Sequence, residues 1–155
     1  MREDERTMEK VYNSAVKGLY ARIRSYYDYL YNKFGNEGLE MISDMSREYG
    51  ETIVPRAKEA LQANDVEAVA SYLMRIFKTV AWNRDTITLV SENPDEIIIK
   101  VTDCPLHFTD PAMCQAHTTM ERTVVEGLNP ELTYVIRKSI PGGDSFCEHV
   151  ITTRK

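Results

Sequence analysis

Apolar positions in the first part of the chain recur at alternating steps of three and four. Met8, Tyr12, Ala15, Leu19, Ile23, Tyr26, Leu30 and Phe34 trace one face of a long helix. Tyr20, Tyr27 and Tyr31 form a second strip beside it, and Gly35-Asn36 marks its end. A second helix starts near Glu37 and carries Leu39, Ile42, Met45 and Tyr49. Gly50 and Pro55 are expected to kink or break it before Ala57, Ala60 and Leu61 resume the pattern. Asn64 or Asp65 can cap a third helix, with Val66, Val69, Leu73, Ile76 and Phe77 inward.

After Trp82 the period falls to two. Residues 86–91 alternate as a strand, residues 92–95 form a turn, and residues 96–102 make a second, more buried strand, so the pair reads as a hairpin. Asp110 followed by Pro111 opens a helix that is expected to run to Glu126 and stop at Gly127. Residues 132–140 alternate again, residues 141–144 make a tight turn, and residues 146–153 return as a fourth strand. The sum is an α+β fold: a helical N-terminal half packed on a ββαββ unit with a mainly antiparallel four-stranded sheet. The length suits one domain spanning 1–155, with a helical part at 1–82 and a sheet-plus-helix part at 83–155.

Composition narrows the function classes. Hydrophobic residues make up 43% of the chain, enough to bury a core without staples. Net charge is −5, and lysines and arginines are scattered among acids rather than gathered in a basic block. That argues against a nucleic-acid partner. No apolar run approaches the roughly 18 residues needed to span a bilayer. The opening MREDERTMEK lacks the apolar core of a signal peptide. A cytoplasmic protein with no membrane partner is expected, its three cysteines serving as thiols or metal ligands rather than as a disulfide framework. The long first helix has more apolar and tyrosine surface than a small sheet can cover. A homodimer is therefore expected, with Tyr20, Tyr27 and Tyr31 as interface candidates.

The chemistry-bearing side chains are concentrated. Every cysteine and histidine lies beyond residue 103, as Cys104-x-x-His107, Cys114-x-x-His117 and Cys147-x-His149. These residue types bind soft or borderline metals, or pair as nucleophile and base. A single cysteine is an ordinary core residue; the clustering is what points to chemistry. On the helix expected over 110–126, Met113, His117, Met120 and Val124 share one stripe at about 100° per residue. Cys114, Glu121 and Val125 share the adjoining one. Glu121 would then be buried and need a cationic, metal or hydrogen-bonding partner; it is either a proton carrier or the structural partner of an arginine from the N-terminal helices. Cys114 in the first turn should have its thiol pKa lowered by the helix dipole. Cys104, Cys114, His117 and Cys147 would make a tetrahedral Cys3His site for Zn²⁺ or Fe²⁺. Three cysteines could instead hold an iron–sulfur cluster. His107 and His149 are weaker candidates, each readable as a surface residue.

Several short motifs add a family likeness. They are Cys104-Pro105 after a strand, Cys114 opening a helix, Asn129-Pro130 before a strand, and the closing Gly143-Asp144-Ser145-Phe146-Cys147. In these the chain resembles the L-2-amino-thiazoline-4-carboxylic acid hydrolase family and, more distantly, the 4-vinyl reductase small-molecule-binding domains. The likeness covers the last third of the chain well and the rest in outline. It implies hydrolysis at a C–N or C–S bond of a small heterocyclic or amide substrate, with Cys104, Cys114 and Cys147 at matching positions. His117 departs from the family, standing where an acidic residue is expected. The catalytic candidates are Cys104, His107, Glu121 and Asp144, although a Gly-Asp turn is also ordinary structure. Three mechanisms stay open: a metal-activated water with Glu121 moving the proton, a cysteine nucleophile with His107 or His117 as base, or a non-enzymatic small-molecule or metal sensor using the same cluster.

Overall fold

The computed structural model describes residues 3–154; Met1, Arg2 and Lys155 lie outside it. The first helix, α1 (Glu3–Phe34), is a single helix of 32 residues. Gly35 closes it at φ 59°, a left-handed conformation that glycine adopts without a Cβ penalty. The chain then turns into α2 (Asn36–Ala60), which packs against α1.

Gly50 and Pro55 do not interrupt α2, which continues to Ala60. Gly50 is buried and is a packing residue: a Cβ there would lie 2.9 Å from the Met120 carbonyl oxygen. On α1 the inward face is the second strip. Tyr20 is buried, and Val16, Ile23, Tyr27 and Tyr31 pack with it against Leu106, Phe108, Met113 and Cys114. Met8, Tyr12, Leu19, Tyr26 and Phe34, of the first strip, are exposed. Tyr20, Tyr27 and Tyr31 are thus engaged within the chain.

In α3 (Val66–Thr79) the first turn is capped by Asp65, whose Oδ1 accepts the Ala68 N–H at 2.9 Å. The four expected strands form one sheet, although burial does not alternate strictly: Ile97, Ile98 and Ile99 are buried in succession, and Leu89 and Val90 are both exposed. Its strands are β1 (Ile87–Asn93), β2 (Glu96–Val101), β3 (Leu132–Lys138) and β4 (Cys147–Thr153). All neighbours are antiparallel in the order β1-β2-β4-β3, which confirms the α+β fold with a helical first half and a four-stranded sheet. Ile97, Ile99, Ile151, Leu132 and Tyr134 form the main core with Val69 and Leu73 of α3 and Val124, Val125 and Leu128.

The helix expected over 110–126 is two helices, α4 (Pro111–His117) and α5 (Thr119–Leu128). The break falls at Thr118, where ψ is 6° and the hydroxyl donates to the Cys114 carbonyl at 2.9 Å. A side-chain bond back into the preceding turn competes with the helix ladder. Both α4 and α5 pack against α2.

Candidate functional site

Between α1, α2, α3 and the sheet lies a cavity of about 630 Å³. Its wall is largely aliphatic and aromatic, from residues such as Ile53, Ile76, Phe77 and Val80. Six chemistry-bearing side chains interrupt that wall: Cys104, Cys114, His117, Glu121, Cys147 and His149. They arrive from four elements: the loop after β2, α4, α5 and β4. Cys104 follows β2 on a loop pinned by the Arg24 guanidinium, which donates to the Leu106 carbonyl at 2.7 Å. Cys114 and His117 come from α4, and Glu121 from the first turn of α5. Cys147 opens β4 opposite Val101, and His149 sits two residues on, on the same face, opposite Ile99 and Ile136.

Both histidines are held by tyrosines. Tyr27 Oη lies 3.0 Å from His117 Nδ1, and Phe108 meets the same ring edge-on at 5.7 Å. Tyr134 Oη lies 2.5 Å from His149 Nδ1, and Phe77 meets that ring at 5.0 Å. His149 is a buried cavity residue, which excludes the surface alternative open to it in the sequence. Burial pushes both imidazoles down to about 4, so they are neutral at ordinary pH.

The thiols are shifted the other way. Burial pushes Cys114 up to about 12, with Cys104, Cys147 and Glu121 adding to the effect. The dipole of a seven-residue helix was expected to lower this thiol; desolvation outweighs it. Cys104 and Cys147 are also raised by burial, partly offset by backbone N–H groups of Leu106 and His107 at the first and of Ile140 at the second. All three are free thiols, and in this environment they hold their protons.

Glu121 is the anomalous group. It is 5% exposed, and burial raises its carboxyl to about 7. Its Oε2 has no hydrogen-bond partner, and no ion pair among the described residues includes it. The arginine considered as a structural partner is absent: Arg24 holds a loop carbonyl, and Arg56 lines the cavity at an exposed position.

Two sequence candidates stand apart from the cavity. His107 is exposed at φ 49° and stacks on Trp82 at 5.6 Å. Asp144 is exposed, and its Oδ2 accepts the Ser139 N–H at 2.8 Å, which shapes the turn before β4. The four expected metal donors share the cavity wall. Yet among the described residues no three His, Cys, Asp or Glu side chains are gathered closely enough to hold an ion. Sequence reasoning missed Tyr134, Phe77 and Thr118 as site residues. The tyrosine strip on α1 was the one available signal for Tyr20 and Tyr27. No helix among the described residues is long and apolar enough to cross a membrane. Compared with protein-family models and with curated proteins, the chain gives no match.

Proposed function

We propose that the chain is a small hydrolase-like enzyme that opens a C–N or C–S bond of a heterocyclic or amide substrate bound in the cavity, with Glu121 moving the proton. The observation that carries this reading is the unpartnered Oε2 of Glu121. A buried carboxyl without a partner is costly, and apolar residues would pack better there. A bound water or substrate N–H would complete it. A carboxyl that titrates near 7 can both take and return a proton at neutral pH. In such a step Glu121 takes a proton from a water whose oxygen attacks the electrophilic carbon. The electron pair of the broken bond leaves on nitrogen or sulfur, and the protonated Glu121 then supplies that atom's proton.

The other groups take supporting parts. The neutral imidazoles of His117 and His149 offer hydrogen bonds without competing for the carboxylate as cations would. The protonated Cys104 and Cys114 are weak donors and poor nucleophiles, which speaks against a cysteine attack. The closing motif shared with the thiazoline hydrolases makes L-2-amino-thiazoline-4-carboxylic acid the first compound to try. A reducing cytoplasm would keep the three thiols as they are. A second copy of the chain is the partner suggested by the exposed apolar residues of α1.

A second reading is favoured by the largely apolar wall and unreactive thiols: a binding domain that holds its ligand without converting it. Product formation separates the two. Panels of cyclic and acyclic amides and thioethers, followed by mass spectrometry, should yield a product gaining one water. Glu121→Gln should keep the fold and lower turnover at least about a hundredfold, the scale of lost general acid–base catalysis. Full turnover in a folded Glu121→Gln protein would remove Glu121 from the mechanism. Tight binding with no product would leave the sensor reading.

A further inference from the structure

The ligand cavity has a neighbour. A second cavity of about 590 Å³ opens between α1 and α2, lined by Tyr26, Leu30, Met45 and Ser46 among others. Four residues, Ile23, Tyr49, His117 and Met120, line both cavities. The partition is therefore made of side chains. Its polar link is the contact between Tyr27 and His117 at 3.0 Å. Met120 beside it is an unbranched thioether, the side chain best able to change shape around an occupant.

Size adds a second argument. Drug-sized ligands occupy pockets of roughly 300–1,000 Å³, and each of these cavities alone is of that size. A bare ring with few substituents would leave most of the first cavity unfilled. Empty apolar space forfeits packing contacts. The polar features are also unevenly divided. Glu121, the thiols and His149 belong to the first cavity only, whereas the second is tyrosine, leucine, isoleucine and methionine with Ser46 and the shared His117.

We propose that the physiological ligand is amphipathic: a compact N–H-bearing head meets Glu121 in the first cavity, and an alkyl or aryl tail passes His117 and Met120 into the cavity between α1 and α2. This rests on the reading of the Glu121 cavity as a ligand site and adds the class of molecule it takes. It also gives the half-open second cavity one occupant, since the residues it shares with the first make it a continuation of that site.

Linear primary amines from butylamine to decylamine, kept below their micelle concentrations, test the tail and the head separately by calorimetry. Affinity should rise roughly fourfold per added methylene, the usual return for burying that group, and keep rising at lengths that outgrow the first cavity. Met45→Trp, from an exposed position on α2, should fill the second cavity, so that the rise stops at a shorter chain while butylamine binds as before. Leu30→Trp does the same from the α1 wall and serves if Met45→Trp fails to fold. Glu121→Gln should weaken every amine by a similar factor and leave the dependence on length intact. The same plateau in wild type and in both tryptophan variants would overturn the two-cavity proposal, even with Glu121 shown to hold the head. A length dependence lost in the tryptophan variants but amines indifferent to Glu121→Gln would support the tail site and sink the role given to Glu121. Absence of binding at every length overturns both.

Discussion

At Glu121 a carboxyl group occupies a place that leucine or alanine would pack better, and pH should expose the cost. Its folded pKa stands near 7, raised by burial from an ordinary value of 4.5. The folded protein thus keeps a proton that the unfolded chain releases. The stabilising contribution of that proton is complete below about pH 4.5 and is lost as pH rises through 7, a loss on the order of 3 kcal/mol. Glu121→Gln has no such dependence. Its melting temperature should exceed that of wild type by a margin that grows from pH 5 to pH 8, measured by circular dichroism in matched buffers. A constant margin would mean the carboxylate finds a partner. The histidines act with the opposite sign. Burial holds His117 and His149 near 4, below their ordinary 6.5. Their contribution is present above about pH 6.5 and lost as pH falls through 4, because the unfolded chain takes up protons first. His149→Phe should therefore lose less stability than wild type between pH 6.5 and pH 4. It should start lower, since the buried Tyr134 hydroxyl loses its partner at 2.5 Å.

Among the elements, the contact of α2 with α5 depends on two glycines. A Cβ on Gly50 would lie 2.9 Å from both the Met120 oxygen and Thr123 Cβ, and one on Gly127 would lie 2.6 Å from a Val54 methyl. In an isolated helix Gly→Ala stabilises by up to about 1 kcal/mol. Here backbone would have to move, and overpacking of this kind costs about 1–3 kcal/mol. Gly50→Ala should thus be less stable than wild type in urea, and Gly127→Ala should suffer less because a valine side chain can yield. Stability gained at Gly50 would show that the helices have room to part. The same glycine shows where the sequence was hard to read. Gly50 and Pro55 look like helix breakers, and only the facing α5 reveals Gly50 as a point of close approach. The four strands and both hairpins were legible from alternation and turn residues, whereas the central pairing of β2 with β4 was not. Periodicity ran unbroken through Thr118, since a one-residue break leaves a 3.6 pattern nearly in phase. On α1 both strips were apolar, and the tyrosine strip faces inward because its hydroxyl and ring surfaces meet the cavity and the 104–108 loop. Of the site, Cys104, Cys114, His117, Glu121 and Cys147 were legible from clustering and helix phase. His149 shares the strand face of Cys147 by alternation, but which way that face points shows only once the register with β2 is known.

Over the whole molecule, the outward strip of α1 is an exposed apolar surface that the fold does not use. Met8 is 69% exposed, Val11 58% and Leu19 57%, with Tyr12 and Tyr26 continuing the line. Steps of three and four along one helix form the kind of seam that a second helix fills, and a copy of α1 offers the same seam. The strip is also tied to the cavities: Leu19 lines the first and Tyr26 the second. A partner helix lying here would cover their rims. Dimerisation and ligand binding should therefore be linked, each changing the affinity of the other by the same factor. Light scattering should find a dimer at micromolar concentration. Val11→Glu, at an exposed position away from both cavities, should shift it to monomer without lowering the melting temperature of the dilute protein. If the dimer covers the rims, decylamine should bind the Val11→Glu monomer with a different affinity from the wild-type dimer, and it should shift the wild-type dimer equilibrium by the matching factor. A wild-type protein that stays monomeric throughout would show that this strip is ordinary exposed surface. Equal affinity in monomer and dimer would show instead that the seam pairs without touching the cavities.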